Sequence, residues 1–174
     1  MKNSIFRQMF SVVFVLLAST LFAAPKYVFL FIGDGMNLSQ RMLANEYQIV
    51  RGQEPLAMNK LPYAGFARTA SASARITDSA AAATALATGT KTRNGTLGLD
   101  AKGVRLESCA EVAKKSGKKV GIITTVTITH ATPAGFYAHT RRRSDRDVII
   151  RDLVASGFDY FAGGGLGASD EEEA

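Results

Sequence analysis

The sequence predicts an α/β fold, a layered and mostly parallel β-sheet flanked by helices. Three observations carry that reading. Residues 27–32 are apolar without interruption, the mark of a strand buried on both faces rather than one. Strand-like runs then alternate along the chain with segments of helical spacing. Little strict polar–apolar alternation occurs inside the runs, which argues against an antiparallel sandwich. In open sheets of this kind ligands bind beyond the carboxyl ends of the strands. Asp34 falls just past the first predicted strand, and His130 and Thr132 fall several residues past a later one.

Each element follows from local signals. Gly33-Asp34-Gly35 breaks the first strand. Asn37 and Gln40 have capping-box spacing, so a helix is predicted to about Arg51, closed by Gly52. Residues 53–75 are mixed, with a short strand expected over 63–69. Asp78-Ser79 opens an alanine-rich helix over 80–88, closed by Gly89, and Asn94-Gly95 marks a tight turn. A helix is expected over 106–116, ended by Gly117, and a strand over 119–125. Ser144 and Asp147 cap a helix over 146–156, ended by Gly157, and residues 159–162 begin a further short strand. Cys109 shares helical spacing with Leu106, Ala110 and Ala113, so it is expected in the core rather than as a nucleophile. Ser169, Asp170, Glu171 and Glu172 announce either another helix start or a solvated acidic tail.

At 174 residues the chain holds about one domain at ~150 residues each. Hydrophobic residues are 47% and charged residues 21%, a balance that excludes a disordered chain, a collagen or a coiled coil. The single cysteine excludes an intrachain disulfide framework. Residues 1–24 read as an export signal: Lys2 and Arg7 without acids, then 14 residues of apolar character over 9–22, then Ala23-Ala24 before Pro25. The run is short for a membrane span, although an uncleaved anchor is the competing reading. Cleavage leaves no stable membrane anchor and a periplasmic or extracellular protein. The net charge of +6 loses the two positive charges of the leader, and what remains favours anionic partners without arguing for nucleic acid.

Several side chains could carry chemistry. A serine at a helix N-terminus faces unpaired N–H groups and the positive end of the dipole, where an oxyanion is stabilised. Asp78 and Ser79 are equally the commonest N-cap types. Asp34 between glycines could ligate a hard cation or simply serve a turn. Arg141-Arg142-Arg143 is a solvated loop or a source of one bidentate oxyanion clamp. His130 and His139, the only histidines, cannot build a zinc site unaided. Gly163-Gly164-Gly165-Leu166-Gly167 does not match the dinucleotide fingerprint and reads as a flexible loop.

Three blocks together resemble the alkaline phosphatases. The first is Phe31-Ile32-Gly33-Asp34-Gly35-Met36. The second runs from Thr77-Asp78-Ser79 through Ala80, Ala81, Ala82, Ala83 and Thr84 to Gly89 and Asn94-Gly95. The third runs from Thr129-His130-Ala131-Thr132-Pro133 to His139-Thr140. The resemblance covers about residues 26–167. It implies that Ser79 is the nucleophile that takes the phosphoryl group. Asp34 would bridge a zinc and the neighbouring magnesium, Thr132 would help hold the magnesium, Arg143 would clamp the phosphate, and Asp78 would orient that arginine. His130 stands where some members carry aspartate and others histidine, so the resemblance implies a third-site metal residue there.

The implied cofactors are two zinc ions and one magnesium, and the implied substrates are phosphate monoesters. A homodimer is implied for the full-length form. The family draws most of its zinc ligands from sequence further along. Residues 25–174 therefore resemble the N-terminal part of a catalytic domain, with the sheet incomplete, and the chain by itself is expected to be inactive. The competing readings are a catalytically inactive fragment and a phosphodiesterase of the same superfamily. A sulfatase is disfavoured because alanines follow Ser79, where a Cys- or Ser-x-Pro-x-Arg setting would be needed.

Overall fold

The computed structural model describes residues 25–167. The export signal over 1–24 and the helix start or acidic tail around Ser169 lie outside these residues. Of the two compact units into which the chain divides, the first contributes residues 25–33 to the described part. The predicted strand over 27–32 is not formed: no described residue pairs with it, and Tyr27, Val28, Phe29 and Phe31 are exposed. A central parallel strand exists only through hydrogen bonds to two neighbours.

The second unit begins at Asp34. Helix α1, Leu38–Val50, has the predicted capping box: Gln40 N donates to Asn37 Oδ1 at 3.1 Å, and Asn37 N donates to Gln40 Oε1 at 2.6 Å. A 3₁₀ turn at Ala57–Lys60 is tied back to it, because Asn45 Oδ1 accepts from Leu56 N and Asn59 Nδ2. The strand expected over 63–69 is absent, and Tyr63 and Phe66 point into solvent.

Helix α2, Ser79–Thr88, is capped by Asp78 and closed by Gly89 at φ +70°, as its residues dictate. It buries Ala80, Ala81, Ala83, Thr84 and Ala87. The small side chains matter because helix α4 packs on that face. Helix α3, Cys109–Lys115, starts three residues later than expected, at a capping box between Ser108 and Glu111. Leu106 therefore precedes the helix, and Cys109 is exposed, which corrects the core assignment. The buried residue here is Ser108, whose hydroxyl donates to Phe136 O at 2.7 Å.

The strands β1, Gly121–Ile123, and β2, Tyr160–Ala162, pair in parallel with Ile122 opposite Phe161. Between them lie α4, Ala131–Ala134, and α5, Arg146–Ala155. This helix-flanked parallel pair is an incomplete α/β fold of the predicted class. Helix α5 begins after Asp145 rather than Ser144, and no side chain caps it; the Asp145 carboxylate instead accepts from Thr140 Oγ1 at 2.8 Å. The core joins Ala80, Leu97, Ala131, Ala134, Tyr137, Ala138 and Ile149, with Ile122, Leu153, Phe158 and Phe161 packed around them. Tyr137 meets Phe161 edge-on and donates its hydroxyl to Ile128 O. Burial, with the Asp152 charge adding, pushes the Tyr137 phenol well above its ordinary value.

The glycine-rich segment over 163–167 is held rather than flexible. Gly164 N donates to Val126 O at 2.8 Å, Ile128 N to Gly165 O at 2.9 Å, and Thr129 Oγ1 to Leu166 O at 2.6 Å. A Cβ at Gly163 would stand 2.9 Å from Val126 O, so glycine permits the close approach.

Candidate active site

Two short elements set the site. Ser79 is the first residue of α2 and Thr132 lies in α4. The two helices meet through residues without bulk: an added Cβ at Gly135 would come within 2.5 Å of Ala83 Cβ. That close packing brings the two hydroxyls together. Asp34, in the Gly33–Gly35 turn, receives both on one oxygen, with Ser79 Oγ and Thr132 Oγ1 each donating to Asp34 Oδ2 at 3.0 Å.

Asp78 does more than cap. Its Oδ1 accepts from Ala81 N at 2.9 Å, and its Oδ2 accepts from Gly95 N at 2.9 Å while facing Arg143 Nη1 at 3.4 Å. The Asn94-Gly95 turn is thus part of the site's support, which its reading as a turn alone missed. Asn94 Oδ1 accepts from Asp78 N at 3.3 Å, Asn94 Nδ2 donates to Ile76 O at 3.1 Å, and Arg143 N donates to Gly95 O at 2.7 Å. Its position within the second sequence block was the available signal.

The arginine triplet divides. Arg141 lies over Gly103, where a Cβ would be 2.2 Å from its Nη2. Arg142 pairs with Asp145 at 3.5 Å on the surface. Only Arg143 turns to Asp78, and its Nη2 lies 3.3 Å from His130 Nε2. A guanidinium only donates, so His130 Nε2 accepts and Nδ1 carries the ring proton. That Nδ1 is buried with no hydrogen-bond partner. His139 is elsewhere: its Nε2 lies 3.0 Å from Leu106 O, and Glu111 and Asp152 flank the ring. It is structural.

The donor set can be tested against metals. One carboxylate and two hydroxyls converging on Asp34 are hard oxygen ligands of the kind magnesium takes. His130, with an unpartnered buried nitrogen nearby, adds one imidazole. Among the described residues no group of three or more His, Cys, Asp or Glu side chains comes together, so a closed zinc set is not assembled by them.

Residues 25–158 match the alkaline phosphatase family. The chain belongs to that family. It is 41% identical over 133 residues to the tissue-nonspecific alkaline phosphatase of Gallus gallus, covering 68% of this chain and 26% of that relative. In structure it resembles the alkaline phosphatase of the Antarctic bacterium TAB5, with a TM-score of 0.69 and 35% identity over 75% of this chain and 37% of that one. A histidine-to-aspartate mutant of the TAB5 enzyme, with magnesium bound in its M3 site, is similar at a TM-score of 0.67 and 34% identity. This alkaline phosphatase chain thus spans about a quarter of the length of the curated relatives it matches. None of its described helices is long and apolar enough to cross a membrane.

Proposed function

We propose that the protein containing this chain hydrolyses phosphate monoesters to an alcohol and inorganic phosphate through a phosphoserine at Ser79. The observation that carries the reading is the convergence of Ser79 and Thr132 on Asp34 beside the Asp78-held Arg143. Ser79 Oγ attacks phosphorus, the ester P–O bond breaks and the alcohol leaves. Water then opens the phosphoserine. At the first position of α2, the helix N-terminus favours the charge that develops there. Arg143 holds non-bridging oxygens, where charge resides during phosphoryl transfer. Asp34 holds the Ser79 hydroxyl in position, and Asp78 fixes the guanidinium.

Two zinc ions and one magnesium suit this chemistry, with Asp34, Ser79, Thr132 and His130 as this chain's ligands. When bound, zinc supplies alkoxide stabilisation and water activation. The described residues hold too few donors to complete those sites, which favours a second reading of the chain by itself as a phosphate-binding but inactive piece. Export through residues 1–24 and a homodimer of the full-length form belong to the same proposal.

The experiment is phosphate trapping. The protein is incubated with phosphate, zinc and magnesium at acid pH and quenched, and the peptide carrying Ser79 is weighed by mass spectrometry. A phosphate adduct on Ser79 that disappears in Ser79→Ala supports the reading. An adduct that survives in Ser79→Ala overturns the nucleophile.

A further inference from the structure

The turn that supports Asp78 has a chemistry of its own. Asn94 is the only asparagine of the chain followed by glycine. In such a pair the backbone nitrogen of the second residue reaches the side-chain carbonyl of the first, because glycine has no Cβ to obstruct the approach. An added Cβ at Gly95 would meet nothing within 4 Å, and Asn94 is exposed, so neither crowding nor want of water prevents the reaction here.

Hydrogen bonds prevent it instead. Attack requires Gly95 N to give up its proton and turn toward Asn94 Cγ. That N–H is held at 2.9 Å by Asp78 Oδ2, on a carboxylate whose other oxygen is anchored by Ala81 N. The amide under attack is held as well: Oδ1 accepts from Asp78 N at 3.3 Å, and Nδ2 donates to Ile76 O at 3.1 Å. Asn94 N donates to Ser73 Oγ at 3.0 Å, and Gly95 O accepts from Arg143 N at 2.7 Å, which fixes the backbone on both sides. The contact to the Asp78 carboxylate is charge-assisted, and it acts on the attacking atom.

We propose that Asn94 is a deamidation site of this chain, kept closed in the folded state by the hold of Asp78 on Gly95 N–H. When the hold opens, Gly95 N bonds to Asn94 Cγ, the Cγ–Nδ2 bond breaks, and the amide nitrogen leaves with the displaced proton as ammonia. Water then opens the cyclic imide at Cγ, giving aspartate, or at the main-chain carbonyl, giving isoaspartate. Neither product restores the turn. Ionised aspartate has no donor for Ile76 O, and isoaspartate lengthens the main chain by a methylene just before the nitrogen that Asp78 holds. The inference stands apart from Ser79 as nucleophile and Arg143 as clamp.

The test is the rate of conversion in the full chain at mildly alkaline pH, read by mass spectrometry on the tryptic peptide 94–102, which excludes position 78. The chain unfolded in urea is the open reference. Folded wild type should convert at least about tenfold more slowly than that reference, and folded Asp78→Asn about tenfold faster than folded wild type, the worth of ~1.4 kcal/mol of lost closure. Asp78→Asn keeps an oxygen for Ala81 N–H and turns its amide toward Gly95, so the helix cap stays and the hold is lost. Asp78→Ser, a good N-cap without a second acceptor oxygen, should do the same. Gly135→Ala destabilises the fold through Ala83 and Thr84 rather than the turn, and should convert at about the wild-type rate. Far-UV circular dichroism checks that each variant is folded. A folded wild type as fast as the unfolded chain, wild-type rates in the folded Asp78 variants, or equal acceleration by Gly135→Ala overturns the hold. Absence of conversion in urea overturns the site itself.

Discussion

Asp78 serves a helix, a turn and an arginine at once, and the three contributions can be separated by mutation. Asp78→Ala removes the α2 cap, worth about 1 kcal/mol. It also strands the half-buried Gly95 N–H, which costs about 1–3 kcal/mol when left unpaired. The ion pair with Arg143 adds less. At 3.4 Å, with the two side chains 25% and 36% exposed, solvent screening holds it to about 0.2–1 kcal/mol. The expected loss is therefore about 2–5 kcal/mol, mostly from backbone N–H groups rather than from charge. Asp78→Asn keeps one acceptor oxygen. With that oxygen on Ala81 N–H, its amide faces Gly95 N–H and Arg143, so only the cap is kept and the loss is about 1–4 kcal/mol, about 1 kcal/mol less than for alanine. Arg143→Gln alone should lose under about 1 kcal/mol. Urea unfolding of the four chains, including the Asp78→Ala/Arg143→Gln double mutant, gives the coupling directly. A coupling above about 2 kcal/mol, or equal losses for Asp78→Ala and Arg143→Gln, would refute the claim that capping and turn support dominate.

Three further outcomes are expected. Arg143→Lys keeps the charge but loses the planar fork, so phosphate binding measured by calorimetry should weaken by about 1–3 kcal/mol, with a smaller effect at Arg141→Lys; equal effects would mean that the wrong arginine is the clamp. Gly135→Ala places a Cβ 2.5 Å from Ala83 Cβ and 3.1 Å from Thr84 N, at a φ of −59° that any residue tolerates, so its cost in thermal unfolding is steric, about 1–3 kcal/mol, and Ala83→Gly should recover part of it. Asp159 is held well below the usual carboxylate range by hydrogen bonds from Lys114 and Lys119 and from Val120 N. Its folded value lies below its unfolded one, so the clasp stabilises above the ordinary carboxylate value near ~3.9 and is lost as pH falls through the lower folded value. The stability difference between wild type and Asp159→Asn should shrink on acidification, and a difference independent of pH would contradict the clasp.

Features that depend on neighbours along the chain were legible in the residues. The α1 capping box, Asp78 before α2 and Gly89 after it all arise from local hydrogen bonds and backbone preferences. Those forces act within a few residues, so spacing alone reveals them. The site residues Asp34, Ser79, Thr132 and Arg143 were named through the three sequence blocks rather than through local chemistry, in which a serine after an aspartate is an ordinary cap.

Other features needed partners far along the chain. Residues 27–32 have the composition of a central strand, but a strand is completed by hydrogen bonds from neighbouring strands, and no described residue provides them. Cys109 has core spacing, yet Ser108 starts the helix there and leaves the thiol in solvent. The glycine run over 163–167 looked loose because its anchors, Val126, Ile128 and Thr129, lie more than thirty residues earlier. The division of three adjacent arginines among Gly103, Asp145 and Asp78 is likewise a matter of what surrounds each one. Sequence by itself determined helices α1 and α2 with their caps, and the family. Which side chains meet, Ser79 with Thr132 on Asp34 above all, was decided by the tertiary packing of α2 on α4, because contacts between residues 45 and 98 positions apart leave no mark on local spacing.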